Sequence, residues 1–317
     1  MKQRSSQGSI AARLRHAMRA LMLVPMLMLG FLMAPGAAGI AAAATTIDCP
    51  PATPAAASSA SASASPTLAT PAAATEFPTD GGSLTVYAAA SLTDAFGKIG
   101  DQITAAHPNV KISFQTGGSQ ALVTQLQQGA KGDVLATANT STMASAVKSN
   151  LIDGSPITFT GNRLVIVTPT DNPASITSFD DLAKSGTKLV LAAPDVPAGN
   201  YAVKAICQHQ QDVSGFAGEI GKNVVSEEED VRTVLSKVQT GEADAGIVYY
   251  SDAVASELSG TKLNVIEFPA TVPTYASYPI APIAGGNTDL ANAFIAYVLG
   301  PDGQKVLKDY GFETLAS

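Results

Sequence analysis

The chain has 317 residues, is 46% hydrophobic but only 14% charged and 6% aromatic, lacks Trp, and carries a formal net charge of −7. That length leaves room for one or two domains with a substantial core. An acidic chain with neither a basic run nor an aromatic platform is excluded as a binder of nucleic acid or of an anionic membrane surface.

Residues 1–44 read as an export signal. Lys2, Arg4, Arg13, Arg15 and Arg19 make a basic start, Ala20 to Ala34 is a short apolar run, and Ala42-Ala43-Ala44 offers a small-residue cleavage site. The apolar run contains Pro25 and falls short of the ~20 residues a membrane span requires, which favours cleavage over a retained anchor. Cleavage removes five basic residues and no acid, taking the net charge from −7 to −12. Residues 45–82, dominated by Ala, Ser, Thr and Pro, hold too little apolar surface to fold and are expected to be a disordered linker. The two cysteines, Cys49 and Cys207, leave a disulfide, a lipid anchor and free thiols open, although Asp48 just before Cys49 disfavours lipid attachment. Whether the exported protein is periplasmic or held at the cell surface through this segment stays open with them.

From Leu84 onward, strand and helix patterns alternate. Leu84–Ala88 reads as a strand, followed by a helix with Leu92, Ala95, Phe96, Ile99 and Ile103 on one face. Val110–Phe114 is a second strand, and a helix through Leu122, Val123 and Leu126 stops at Gly129. Strands follow at Asp133–Ala136, Leu164–Val167, Leu189–Ala192, Ala245–Val248 and Leu263–Ile266, with helices after Gly199, through Val231–Val238 and through Phe294–Val298. Such alternation predicts an α/β fold with mostly parallel sheets, and the ordered length favours two lobes.

Four corners in this pattern carry small or uncharged residues where a helix begins: Ala88-Ala89-Ala90-Ser91, Gly117-Gly118-Ser119-Gln120, Val196-Pro197-Ala198-Gly199 and Glu229-Asp230-Val231-Arg232. Helix N-termini present unpaired N–H groups and a partial positive charge, so several converging on one point make an anion site. The first three corners lack Lys and Arg, which points to binding through hydrogen bonds rather than to chemistry. Taken singly, Ser91 and Ser119 would merely cap their own helices. Glu229 and Asp230 would repel an anion unless they cap their helix while the Val231 N–H faces the other way. Tyr249, at the end of a strand, adds a neutral O–H donor.

These motifs, with Gly129-Ala130-Lys131-Gly132-Asp133-Val134, Gly246-Ile247-Val248-Tyr249-Tyr250-Ser251-Asp252-Ala253, Gly300-Pro301 and Tyr310-Gly311-Phe312, occur in an order that resembles the molybdate-binding proteins of bacterial ABC importers. That family lies within the type II two-lobed periplasmic-binding-protein superfamily, and the likeness runs from about Leu84 to Phe312. The resemblance implies a tetrahedral oxyanion, molybdate or tungstate, held by the hydroxyl and N–H of Ser91 and Ser119, the N–H groups of Ala198 and Val231, and the hydroxyl of Tyr249. It further implies no catalysis, no cofactor, no direct cation ligands, a monomer, and a membrane permease with a cytoplasmic ATPase as partner. The lobes would be 83–161 with 253–317, and 162–252. Gly118 departs from relatives that carry a second Ser there.

A sulfate or other oxyanion binder of the same fold is the alternative reading. A secreted serine hydrolase is remote: Ser145-x-x-Lys148 lacks the companion Ser-Asp-Asn and Lys-Thr-Gly motifs. Tyr249-Tyr250 leaves a ferric-ion reading, and His107 and His209 lie in helical contexts without a partner cluster.

Overall fold

The computed structural model describes residues 45–50 and 76–314, so the expected leader and most of the expected linker lie outside the described residues. The first half of the chain builds strand β1 (Gly82–Ala89), a 3-10 turn over Ala90–Leu92, α1 (Thr93–Ala106), β2 (Val110–Gly117), α2 (Ser119–Gln127), β3 (Val134–Ala136) and α3 (Thr140–Lys148). The long strand β4 (Ile157–Pro169) leads into the second half: β5 (Leu189–Ala192), α4 (Pro197–His209), α5 (Phe216–Asn223), β6 (Val224–Glu228), α6 (Val231–Gln239), β7 (Ala245–Tyr249), α7 (Tyr250–Leu258) and β8 (Leu263–Ile266). The chain then returns through β9 (Tyr275–Pro282) and ends in α8 (Thr288–Leu299) and α9 (Pro301–Asp309).

The apolar spacing seen in the sequence explains these elements. Val231, Val234, Leu235 and Val238 are the buried face of α6, and Ala95, Phe96, Ile99 and Ile103 that of α1. The strand order is β2-β1-β3-β9-β4-β7-β5-β6, with β8 also on β4. Ile157–Arg163 of β4 pairs with β9, whereas its later residues pair with β7 and β8. One strand therefore belongs to both halves of a curled, two-lobed α/β structure.

The expectation of mostly parallel sheets needs correction. β1–β2, β1–β3, β5–β6 and β5–β7 are parallel, but every pairing made by β4 or β9 is antiparallel. Parallel neighbours require crossover helices, which each lobe supplies internally, while the strands shared between lobes have none. Reading the sequence also missed β9, because Pro279 and Pro282 disguise it. Pro279 lies opposite Thr158, beside the irregularity between Thr158 and Thr160, where a missing N–H is tolerated.

The ends of the expected linker are anchored. Cys49 and Cys207 form a disulfide, Ile47 and Cys49 pack against the core, and Phe77 is buried against the His107 ring at 4.9 Å. The pairing closes the question of the cysteines: neither sulfur is left as a thiol or for a lipid.

Candidate functional site

A small cavity opens where the N-termini of α2, α4 and α6 approach the 3-10 turn after β1 and the end of β7. Ser91, Ser119, Ala198, Val231 and Tyr249 all line it. None of the five is more than 3% exposed. The cavity volume is only about 10 Å³, room for roughly one water-sized sphere, far too little for an organic ligand of the usual ~300–1,000 Å³ class. No Lys or Arg lines it, and Asp230 is its one carboxylate.

Neither serine caps its own helix. Ser91 sits inside the 3-10 turn and α1 has Leu92 at its N-cap, so the Ser91 Oγ turns away and lies 2.9 Å from the Tyr278 hydroxyl. Asn162 Oδ1 accepts from the Arg163 N–H at 2.9 Å, which turns Nδ2 toward Ser251 Oγ at 2.8 Å and the Tyr278 oxygen at 3.4 Å. The phenol thus accepts from Asn162, and either hydroxyl of the Ser91–Tyr278 pair can donate to the other; a phenol that donates leaves the Ser91 proton for the cavity. Ser119 reaches the same state more simply: its Oγ accepts from the Ala138 N–H at 3.1 Å and keeps its proton.

Two backbone donors come from helix starts. Pro197 opens α4 without an N–H, so Ala198 presents the first one. Gly199 is required there because a Cβ would sit 2.1 Å from the Ala193 carbonyl oxygen, where α4 abuts the end of β5. At α6, Asp230 is the N-cap and its Oδ1 accepts from Arg232 N at 2.8 Å and Thr233 N at 3.0 Å. Its charge is spent on those two groups, while the first-turn N–H of Val231 has no intrahelical acceptor.

Tyr249 supplies the last donor. Its hydroxyl is fully buried without a hydrogen-bond partner. Burial, reinforced by Tyr278, holds the phenol well above its ordinary pKa, so it remains protonated. Its backbone N–H is taken by Asp252 Oδ2 at 3.1 Å. Asp252 is itself fully buried; desolvation pushes its pKa up to about 6 despite the opposing pull of Arg232. The cavity is thus lined by uncharged hydroxyls and helix starts beside a single carboxylate, Asp230, that caps its own helix.

Tyr278, Asn162 and Ala138 escaped the sequence reading, and Arg232 entered it only as the end of the fourth corner, with no role. Tyr278 lies on the overlooked β9, and Asn162 and Ala138 carry no local motif that marks a role. The remaining sequence candidates disperse: Ser145 and Lys148 are exposed on α3, and the Tyr250 ring stacks under the Arg163 guanidinium at 3.6 Å, away from Tyr249. His209 does have a partner, with Nε2 2.6 Å from Asp180 Oδ1. Among the described residues no cluster of His, Cys, Asp and Glu could hold a metal ion.

A family model for bacterial extracellular solute-binding proteins matches residues 84–313. The chain belongs to that family. The molybdate-binding protein ModA of Mycobacterium tuberculosis is 41% identical over 244 residues, covering 76% of this solute-binding protein and 89% of the relative. Its fold is that of the periplasmic molybdate-binding protein of Azotobacter vinelandii (TM-score 0.63, 18% identity, covering 72% of this chain and 98% of that one). The sulfate-binding protein SubI of M. tuberculosis is equally close in fold (TM-score 0.65, 20% identity, covering 74% and 87%). A solute-binding protein of this family is non-catalytic and works outside the cytoplasm, in keeping with the export signal and the disulfide.

Proposed function

We propose that this solute-binding protein captures molybdate, and tungstate with it, between its lobes and delivers the ion to an ABC importer. The carrying observation is the Tyr249 hydroxyl, a buried donor that finds no acceptor in the protein. With the hydroxyls of Ser91 and Ser119 and the N–H groups of Ala198 and Val231 it would surround a tetrahedral dianion with donors alone. Each charge-assisted bond in such a dry cavity contributes on the order of 1.5–3 kcal/mol. The O–H of a protonated phosphate would have to compete with the α6 start for the one lining carboxylate, Asp230, which is already engaged by the Arg232 and Thr233 N–H groups, and phosphate is disfavoured on that ground.

Closure is the working step. Residues 83–161 with 253–317 carry Ser91 and Ser119, and 162–252 carry Ala198, Val231 and Tyr249, so only the closed cleft completes the site. The loaded monomer would then dock on a membrane permease driven by a cytoplasmic ATPase, a partnership that the family context supports.

Calorimetric titration of the mature protein from Thr45 tests this reading. Tight one-to-one binding of molybdate and tungstate, with phosphate and sulfate silent, is the expected result. Tight sulfate binding would move the assignment to sulfur uptake, and silence toward every oxyanion would end it.

A further inference from the structure

The tetrapeptide Glu229-Asp230-Val231-Arg232 reaches across the cleft at both ends. At one end Gln120 Nε2 donates to the Glu229 carbonyl at 3.1 Å. At the other, the Arg232 guanidinium meets three groups. Its Nε donates to the Ala90 carbonyl at 3.4 Å and its terminal nitrogen pairs with Asp94, while Asp252 Oδ1 lies 3.1 Å from Nε as a charge contact without a hydrogen bond. Ala90 and Asp94 bracket Ser91 on the first lobe, whereas Asp252 caps α7 behind Tyr249 on the second. Arg232 does not line the cavity, so its charge is not offered to the ion.

The two ends of this side chain are built differently. Asp252 is fully buried, while the Asp94 side chain is 44% exposed. The buried carboxylate anchors the guanidinium on its own lobe, and Asp94 can part from it into water without being stranded in the interior. A planar fork lets Nε donate to Ala90 while a terminal nitrogen meets Asp94 and the charge stays beside Asp252, which a Lys ammonium on the same stem would not match. We propose that Arg232 is a positioning residue, a latch that grips Asp94 and the Ala90 carbonyl only when the cleft is shut and so sets how long the ion stays. This inference rests on the cleft being the oxyanion site proposed above.

The test is the molybdate dissociation rate of the mature protein, followed by stopped-flow tyrosine fluorescence, in wild type, Asp94→Asn, Arg232→Met and the double variant. Asp94→Asn is expected to release molybdate about fivefold faster, the upper range for a partly exposed ion pair, with the association rate and the melting temperature of the ligand-free protein unchanged. Adding Asp94→Asn to Arg232→Met should change nothing further, because the partner is already gone. If Arg232→Met fails to fold, leaving Asp252 unpaired, the cycle is repeated with Asp252→Asn in every variant, so that the charge stranded by Arg232→Met is removed as well. An Asp94→Asn variant with the wild-type off-rate, additive effects in the double variant, or a lower ligand-free melting temperature overturns the latch and leaves the binding site standing. A wild-type protein that binds neither molybdate nor tungstate ends the oxyanion reading, and the latch with it.

Discussion

The Ser91 Oγ lies 2.9 Å from the Tyr278 hydroxyl, and that bond governs which way the serine proton points. The two residues are far apart in the chain and share no motif. Asn162 gives its amide proton to Tyr278, and a Tyr278 that in turn donates to Ser91 would leave the serine proton to face the cavity. Tyr278→Phe should therefore weaken molybdate binding by roughly 1 kcal/mol, the net value of one hydrogen bond, although Tyr278 does not line the cavity. Calorimetry of the variant beside wild type reads the difference; equal affinities would detach Tyr278 from the site.

Ser119→Ala and Ala198→Pro remove one direct donor each. Ser119→Ala should cost about 1–3 kcal/mol in oxyanion binding, and it also strands the Ala138 N–H, so a modest drop in melting temperature should accompany it. Ala198→Pro should do at least as much damage to binding. Wild-type affinity in both variants would refute these positions as ligands.

Gly118 lies close against the Glu229 backbone. A Cβ at this position would sit 2.4 Å from the Glu229 carbonyl oxygen, which the proposed closure brings from the other lobe. Gly118→Ala should accordingly oppose closure by about 1–3 kcal/mol, the usual cost of overpacking, and leave the ligand-free fold alone. The expected signature is weaker molybdate binding at an unchanged ligand-free melting temperature.

Asp252 makes a pH prediction with a definite sign. Its pKa rises from 3.8 to about 6 on folding, because burial disfavours the charge more than Arg232 favours it. The folded protein therefore holds a proton that the unfolded chain has released between those values, and Asp252's contribution to stability falls as pH rises through that window. The stability of wild type relative to Asp252→Asn should decline from pH 4 to pH 6, by at most about 1.4 kcal/mol per pH unit, and level off above. Thermal melts across that range measure it; a constant difference would mean that Asp252 stays ionised throughout.

The disulfide gives a stability prediction separate from binding. Cys49 and Cys207 are 158 residues apart, and their link constrains a long loop of the unfolded chain. Cys207→Ser should lower stability by about 2–4 kcal/mol, free residues 45–50 for proteolysis, and leave molybdate affinity as it was.

Much of this architecture was legible beforehand because its cause is local. The Val231–Val238 stripe and the Leu84–Ala88 run announce their elements through apolar spacing, and Pro197, Asp230 and the glycines before Ser119 mark helix starts through backbone chemistry. The five residues of the cavity could be named for the same reason, since each sits at a helix start or a strand end. β9 could not be read, because two prolines hide a strand whose register depends on a partner far away in the chain.

By itself, then, the sequence determined the alternation of strands and helices, the export signal, and the corners at which donors would be found. Those properties depend on neighbours within a few residues. Only the tertiary structure decided that the corners meet in one cavity, that the Ser91 and Ser119 hydroxyls turn from their own helices to Tyr278 and Ala138, that Arg232 meets Asp94 and the Ala90 carbonyl, and that Cys49 finds Cys207. Each of these joins groups from distant parts of the chain. Their free energy is realised only once the core has packed and excluded water, and no local pattern encodes it.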